Sequence, residues 1–433
     1  TRSGSTSTPP CANCGATADW SAWEAGPTGY GWTDPSFTIT SPVNRYLQYR
    51  VIFKGTSDAN SPANYPIFGG MTVGGNNQVV IANVNAPAQV GQGESGVNVT
   101  MDVVNQGRAT AHCTAASLSF SQGTYTQTVF SPSLPVDIAQ DSTQTITFHV
   151  DVDTNSATGT ANIDGAVTCS FGATTLSTNN AVATDSWVVL DRANLQVDYV
   201  ETDPVDLTEV IRGQTGKTIN MRVTNTGQVP ADITDSSWAS LNFCVGSYTT
   251  TLSSPAVPLT INGGTSATFT FSVDINATSP TGLSIIDGHI RGIDQRSGAV
   301  TADETTDCAS GTYAAESVDA WTIQTPANIA VTAVDTSPTT VNRGQHNIPV
   351  TMRIINFGQE SAVVNAAYLT FSLGTYTGQA APATPTLPIT LAGGASQSVT
   401  FYVSVDAASA AGTATIDGQV FATGSITGWN LSD

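Results

Sequence analysis

The chain has 433 residues, with 33 acidic against 13 basic and a net charge of −20. That balance excludes a nucleic-acid binder, which needs clustered Lys and Arg to neutralise phosphate, and argues against anionic membrane surfaces. No apolar run approaches the ~18 residues of a membrane span, and the length suggests roughly three domains.

The N-terminal end comes first. Thr1 stands where an initiating methionine would, so a processed chain or a fragment is expected. Thr1 to Pro10 is a Ser/Thr/Pro tail, followed by Cys11-Ala-Asn-Cys14. A redox reading of that C-x-x-C needs a βαβ context, and zinc needs two more ligands, so a local Cys11–Cys14 disulfide is expected. Trp20, Trp23, Tyr30 and Trp32 then fall close together. Such residues serve as interface anchors, as a sugar-binding platform, or as a local core; the interface reading is preferred. Phe37-Thr38-Ile39-Thr40 and the stretch Arg45 to Phe53, with Tyr46 and Tyr49, are strand-like.

Beyond residue 75 the same landmarks recur three times, as repeat architectures require. Each repeat opens on Ala-Asn (Ala82, Ala193, Ala327) and passes a glycine turn at Gly91, Gly213 or Gly344. An alternating strand then runs into Asn-x-Gly at Asn105, Asn225 or Asn356, expected to supply positive-φ turn positions. Next comes Phe-x-x-Gly-Ser/Thr-Tyr, ending at Tyr125, Tyr248 or Tyr376. Ile-Asp-Gly (Asp164, Asp287, Asp417) and Trp-x-Val/Ile/Leu (Trp187, Trp321, Trp429) close each unit. The composition is that of strands and turns, and no helical periodicity is evident. The expected fold is all-β: Ig-like sandwiches at 76–190, 191–325 and 326–433, behind a strand-rich extension at 1–75.

The stretch Ala327 to Ala362, with Thr-Val-Asn-Arg-Gly-Gln followed by Arg-Ile-Ile-Asn-Phe-Gly, resembles CARDB-type adhesion modules and related Ig-like repeats of prokaryotic surface proteins. Arg-Tyr-Leu-Gln-Tyr-Arg-Val at 45–51 resembles late strands of laminin-G or jelly-roll-like bacterial surface domains. The first resemblance implies a fold and leaves function open, since such modules act as spacers, adhesins and assembly units.

Two cysteines fall in repeat one and two in repeat two, predicting Cys113–Cys169 and Cys244–Cys308 and an oxidising, extracytoplasmic setting. His112, His149, His289 and His346 are scattered, and no nucleophile elbow, P-loop or HExxH appears. Asp151-Val152-Asp153-Thr154-Asn155 has the alternating oxygens of a calcium loop, but a strand-end turn is the preferred reading. No other cofactor is expected. Asn98, Asn276 and Asn430 head glycosylation sequons.

These features predict a non-enzymatic structural subunit of an extracellular filament or cell-surface appendage. Residues ~15–75 of one copy are expected to pack on the third repeat of the next, near Trp429 and Leu431, giving a head-to-tail homopolymer. Folding back onto the first repeat is the rival arrangement. A monomeric adhesin or polysaccharide-binding stalk contacting surface glycans, and the non-catalytic part of a secreted hydrolase, are the alternatives.

Overall fold

The computed structural model describes residues 77–205, 207–304 and 318–433, with the backbone of two short strands, β1 (Arg2–Gly4) and β2 (Tyr46–Gln48). The chain divides into two compact units, Thr1–Gly74 and Gly75–Asp433. In the first unit β1 pairs antiparallel with β2, Arg2 opposite Gln48. The anchors Trp20, Trp23, Tyr30, Trp32, Phe37, Tyr49 and Phe53, and the cysteines Cys11, Cys14 and Cys308, lie outside the described residues.

The second unit holds three successive β-sandwiches of Ig-like type, and its one helical turn among the described residues is the 3-10 turn Ser236–Trp238. The first sandwich contains β3 (Val79–Asn85), β4 (Gln89–Gly91), β5 (Val97–Asn105), β6 (Ala111–Phe120), β7 (Tyr125–Ser131) and β8 (Val136–Ile138). It continues with β9 (Thr143–Val152), β10 (Gly159–Phe171), β11 (Thr174–Thr178), β12 (Ala181–Ala183) and β13 (Asp185–Leu190). One sheet runs β12-β3-β5-β9-β7 and the other β4-β13-β10-β6-β8, with β11 also on β10.

The second sandwich contains β14 (Leu195–Asp203), β15 (Glu209–Ile211), β16 (Lys217–Asn225), β17 (Ala231–Ile233), β18 (Ala239–Phe243) and β19 (Tyr248–Ser254). β20 (Leu259–Ile261), β21 (Ser266–Ile275), β22 (Gly282–Asp294), β23 (Val300–Asp303) and β24 (Val318–Gln324) complete it. Its sheets are β14-β16-β21-β19 and β15-β24-β22-β17-β20, with β18 and β23 also on β22.

The third has β25 (Ile329–Thr336), β26 (Ile348–Asn356), β27 (Ala362–Phe371), β28 (Tyr376–Thr377), β29 (Ile389–Leu391), β30 (Ser396–Val405), β31 (Ile416–Gly424) and β32 (Asn430–Ser432). Its sheets are β25-β26-β30-β28 and β29-β27-β31-β32.

Period-2 alternation builds each core. Met101, Met221 and Met352 point inward from β5, β16 and β26 at equivalent positions and are fully buried. Phe148, Phe271 and Phe401 oppose the neighbouring Val99, Ile219 and Val350 across the ladders. The Ile-Asp-Gly landmark follows from this packing. A Cβ on Gly165, Gly288 or Gly418 would lie about 2.5 Å from the Met101 Sδ, 2.6 Å from the Met221 Sδ or 2.5 Å from the Met352 Cε. The preceding aspartate turns its carboxylate back to the glycine amide, at 2.7 Å for Asp164 and 2.8 Å for Asp287. These aspartates therefore serve the fold.

The Asn-x-Gly landmark works differently from the expected positive-φ turn. Gly107, Gly227 and Gly358 are absent from the positive-φ glycines. The asparagine is fully buried and satisfies the backbone around it. Asn225 donates to the carbonyls of Val229 and Ile261 and accepts from the amides of Asn194 and Gly227. Asn356 makes the equivalent four bonds. The glycine is needed for close approach: a Cβ on Gly227 would sit 2.0 Å from the Arg192 carbonyl oxygen, and one on Gly358 2.0 Å from that of Pro326. Both carbonyls belong to the linker entering the sandwich.

Cys113 and Cys169 face each other across β6 and β10 and form a disulfide. Cys244 is disulfide-bonded too.

Gly227→Ala is expected to destabilise the second sandwich by about 2–3 kcal/mol, as overpacking does. Denaturant unfolding of the full chain checks this. A change below about 0.5 kcal/mol would show that the linker does not press on this glycine.

Candidate functional site: sandwich joints and an open sheet edge

The linkers between sandwiches are clamped by the residue after each Asn-x-Gly. The amides of Gln228 and Val229 donate to the Asp191 carbonyl, and the Asp191 amide donates back to Gln228 Oε1 at 2.9 Å. At the next joint Gln359 and Glu360 treat Thr325 in the same way.

A hairpin loop from each later sandwich then docks on a turn of the earlier one. Between β22 and β23 the loop Gln295–Ala299 presents Arg296, whose guanidinium donates to the Gln89 carbonyl at 2.9 Å and pairs with Glu94 at 3.4 Å. Between β31 and β32 the loop Ser425–Trp429 presents Trp429, whose ring meets the Cα face of Gly213. The receiving turns are built alike: Glu94 caps the Gly91 amide, and Gln214 caps that of Ile211.

Each docking loop is organised by a buried carboxylate. Asp294 accepts from the amides of Ala193, Arg296 and Ser297. Glu360, only 1 % exposed, accepts from the amides of Ile426, Thr427 and Ala327 and from the Thr427 hydroxyl. In sequence terms Glu360 corresponds to Val229 and Asp294 to Gly424, so two different strands supply the same device. The first sandwich has neither carboxylate: Phe171 and Ala109 hold those positions, and its β10–β11 turn is only Gly172-Ala173.

These placements correct two expectations. Trp429 is not the counterpart of Trp187 and Trp321, which lie in β13 and β24, nearly or fully buried. It sits in a hairpin loop at the second joint, so it is an anchor within the chain. Leu431 packs against the third core from β32 rather than forming an uncovered end.

With Trp429 reassigned, the third sandwich has no counterpart of β13 and β24 among the described residues. In the first two, that strand pairs antiparallel with the start of β10 or β22 and parallel with β4 or β15. Its tryptophan lies over a stacked Phe–Tyr pair, Phe120–Tyr125 at 4.1 Å and Phe243–Tyr248 at 3.9 Å. The indole N–H donates to the tyrosine hydroxyl, 3.3 Å for Trp187 and 3.0 Å for Trp321. Burial pushes the Tyr248 hydroxyl above its ordinary pKa, partly offset by bonds with Ser284 and Trp321. In the third sandwich Phe371 and Tyr376 stack at 3.9 Å, with no tryptophan over them among the described residues.

The positions that this strand covers in the first two sandwiches are less buried in the third. Ala161, Ile163, Ile286 and Ser284 are fully buried, while their counterparts Ala414 and Ile416 are partly exposed. Val90 and Val210 are fully buried, while Val341 is partly exposed and its segment forms no strand. On the adjoining turn, Asn342-Arg343-Gly344, none of the described residues lies within 4 Å of a Cβ built on Gly344.

The other candidate residues are spread apart. Asp151 caps the Gly96 amide and Asp153 that of Asn155, both as turn residues. Among the described residues no cluster of three potential metal-ligating His, Cys, Asp or Glu occurs. Asn98, Asn276 and Asn430 are exposed. A shallow depression of about 520 Å³ lies on the second sandwich beside Asp235 and Pro255. Bonds from Ser237 hold the Asp235 carboxyl below its usual pKa, in its role as cap of the 3-10 turn.

No family model and no curated protein matches the chain. Similar solved structures include the ICAM-5 D1–D4 ectodomain fragment, at 11 % identity and TM-score 0.23, covering 82 % of this chain and 75 % of that one. A putative membrane anchored protein from Corynebacterium diphtheriae has 11 % identity and TM-score 0.20 over 82 % and 88 %. The zebrafish RET cadherin-like domains have 9 % identity and TM-score 0.15 over 73 % and 64 %. The Ig-like assignment rests on the sheets above, not on these scores.

Glu360→Gln would turn two donors toward a cluster of N–H groups. It is expected to cost the third sandwich about 3 kcal/mol and to release Trp429 from Gly213. Thermal unfolding and tryptophan fluorescence check this; unchanged values for both would remove Glu360 from the joint.

Proposed function

We propose that this protein is a non-enzymatic structural subunit of an extracellular filament or surface appendage, built by head-to-tail contact between copies. The observation that carries the reading is the serial build: Ig-like sandwiches follow one another, and the glutamine after each later Asn-x-Gly clamps the linker that enters its sandwich. Exposed sheet edges attract another strand, and main-chain pairing with pockets for alternate side chains gives both affinity and register. Contact between unlike ends does not close on itself and propagates. The Cys113–Cys169 disulfide and the bonded Cys244 fit an oxidising, extracytoplasmic location. The net charge of −20 keeps unassembled chains apart at low salt.

Sedimentation velocity and negative-stain imaging of the full chain across concentration and salt test this. Species larger than dimers, growing with concentration into fibres of regular repeat, are expected. A monomer under every condition would contradict the reading.

A further inference from the structure

The outer face of the first sandwich carries an aromatic pair that stands apart from its core. Phe130, the extra residue of a bulge in β7, is 61 % exposed. Its ring stacks on the His149 imidazole of β9, with centroids 3.8 Å apart and planes 18° from parallel. One exposed apolar residue is ordinary. Two rings held flat together on an outer face form a polarisable shelf, and aromatic faces carry partial negative charge.

His149 faces Asn98 of β5 directly across the ladder, and opposed residues have Cβ atoms about 4.5–5.5 Å apart. Asn98 heads the sequon Asn98-Val-Thr100. Alternation along the strand puts Asn98 and Thr100 on the outer face, while Val97 and Val99 are buried. Asn98, His149 and Phe130 therefore lie in that order across β5, β9 and β7. The second sandwich lacks sequon and shelf together: Thr218, Ser272 and Ser253 stand at these three places.

The arrangement recurs in the third sandwich on other strands. Ser432 of the sequon Asn430-Leu-Ser432 faces Phe421 of β31, and Phe421 stacks on Tyr368 of β27 with centroids 5.5 Å apart. The order is again sequon, ring, ring across three neighbouring strands, β32, β31 and β27. Both sequons that lie in strands have such a neighbour; the remaining one, Asn276, lies in the turn after β21.

We propose that Asn98 carries an N-linked glycan whose innermost sugars rest on the His149–Phe130 shelf. The linkage is a substitution at the anomeric carbon of a lipid-linked glycosyl diphosphate, catalysed by a separate transferase. The Asn98 amide nitrogen forms the new C–N bond, and the anomeric C–O bond to the diphosphate breaks. The amide gives up one proton and the lipid diphosphate leaves; nothing is oxidised or reduced. A pyranose has a face of C–H groups, which packs on an aromatic ring while its hydroxyls stay in water. The first sugar lies beside His149 and the next reaches Phe130. A free oligosaccharide offers the same C–H face, but the attached one has the higher effective concentration, and the sequon supplies the attachment point.

Mass spectrometry of the full chain from its native host tests the linkage. The tryptic fragment Gly55–Arg108 contains Asn98 in its only sequon, and sugar masses are expected on that residue. Thr100→Val keeps Asn98 and a β-branched residue in the strand, and is expected to abolish them. The shelf is tested by Phe130→Ser, which is expected to lower the melting temperature by about 4 °C more in the glycosylated chain than in the Thr100→Val background. An unmodified Asn98 would overturn the proposal. If N,N′-diacetylchitobiose then raises the melting temperature of that unmodified chain only when Phe130 is present, the shelf belongs to free sugars. A glycan on Asn98 with equal effects of Phe130→Ser in both backgrounds would overturn the packing on the shelf.

Discussion

The last strand of the first two sandwiches, β13 or β24, is the element on which the rest of each depends. It closes one sheet by pairing antiparallel with β10 or β22, and it recruits β4 or β15 on its other side. Its tryptophan ties that sheet to the Phe–Tyr stack through an indole-to-hydroxyl hydrogen bond. Burying such a ring fully is worth several kcal/mol by the cost of truncating it, and aromatic stacking adds about 0.5–1.5 kcal/mol. Where the strand is present, two valines and the start of the long central strand become core. In the third sandwich, whose described residues include no such strand, Val341, Ala414 and Ile416 are partly exposed.

The joints follow from a second constraint, the burial of backbone polar groups where one sandwich runs into the next. Burial demands that these groups be paired. The Asn-x-Gly asparagines pair the groups inside each sandwich, and Gln228 and Gln359 pair those of the linkers. Asp294 and Glu360 gather the amides of the docking loops. With those groups held, Arg296 and Trp429 can reach the preceding sandwich although they sit on loops. The two joints use unlike contacts, a guanidinium on a carbonyl and a carboxylate at one, an indole on a glycine at the other. What they share is the backbone arrangement.

Much of this was legible in the sequence. The repeated landmarks marked homologous strands, and the alternating strand ahead of each Asn-x-Gly was readable as such. The cysteine positions implied Cys113–Cys169. The Asn-x-Gly reading failed on mechanism, because a glycine needed for close approach and one needed for φ look the same in a sequence. Trp429 was misplaced because Trp-Asn-Leu imitates the Trp-x-Val/Ile of a last strand. The signal against it was spacing: Trp429 follows Asp417 much more closely than Trp187 follows Asp164. The docking loops were readable only by contrast, since Phe171-Gly-Ala-Thr174 is a two-residue turn where Asp294 to Val300 is not. The buried carboxylates were invisible, because Asp294 and Glu360 come from different strands and share no motif.

The last strand is what makes the start of the long central strand part of the core in the first two sandwiches. Hydrogen–deuterium exchange of the full chain tests this most directly. Amides in closed ladders exchange only through opening, so Gly159–Ile163 and Gly282–Asp287 should be protected. The account predicts that Gly412–Ala414 and Thr340–Asn342, which pair with no such strand among the described residues, exchange faster in the same chain. Protection of these segments equal to that of Gly159–Ile163 and Gly282–Asp287 would contradict it.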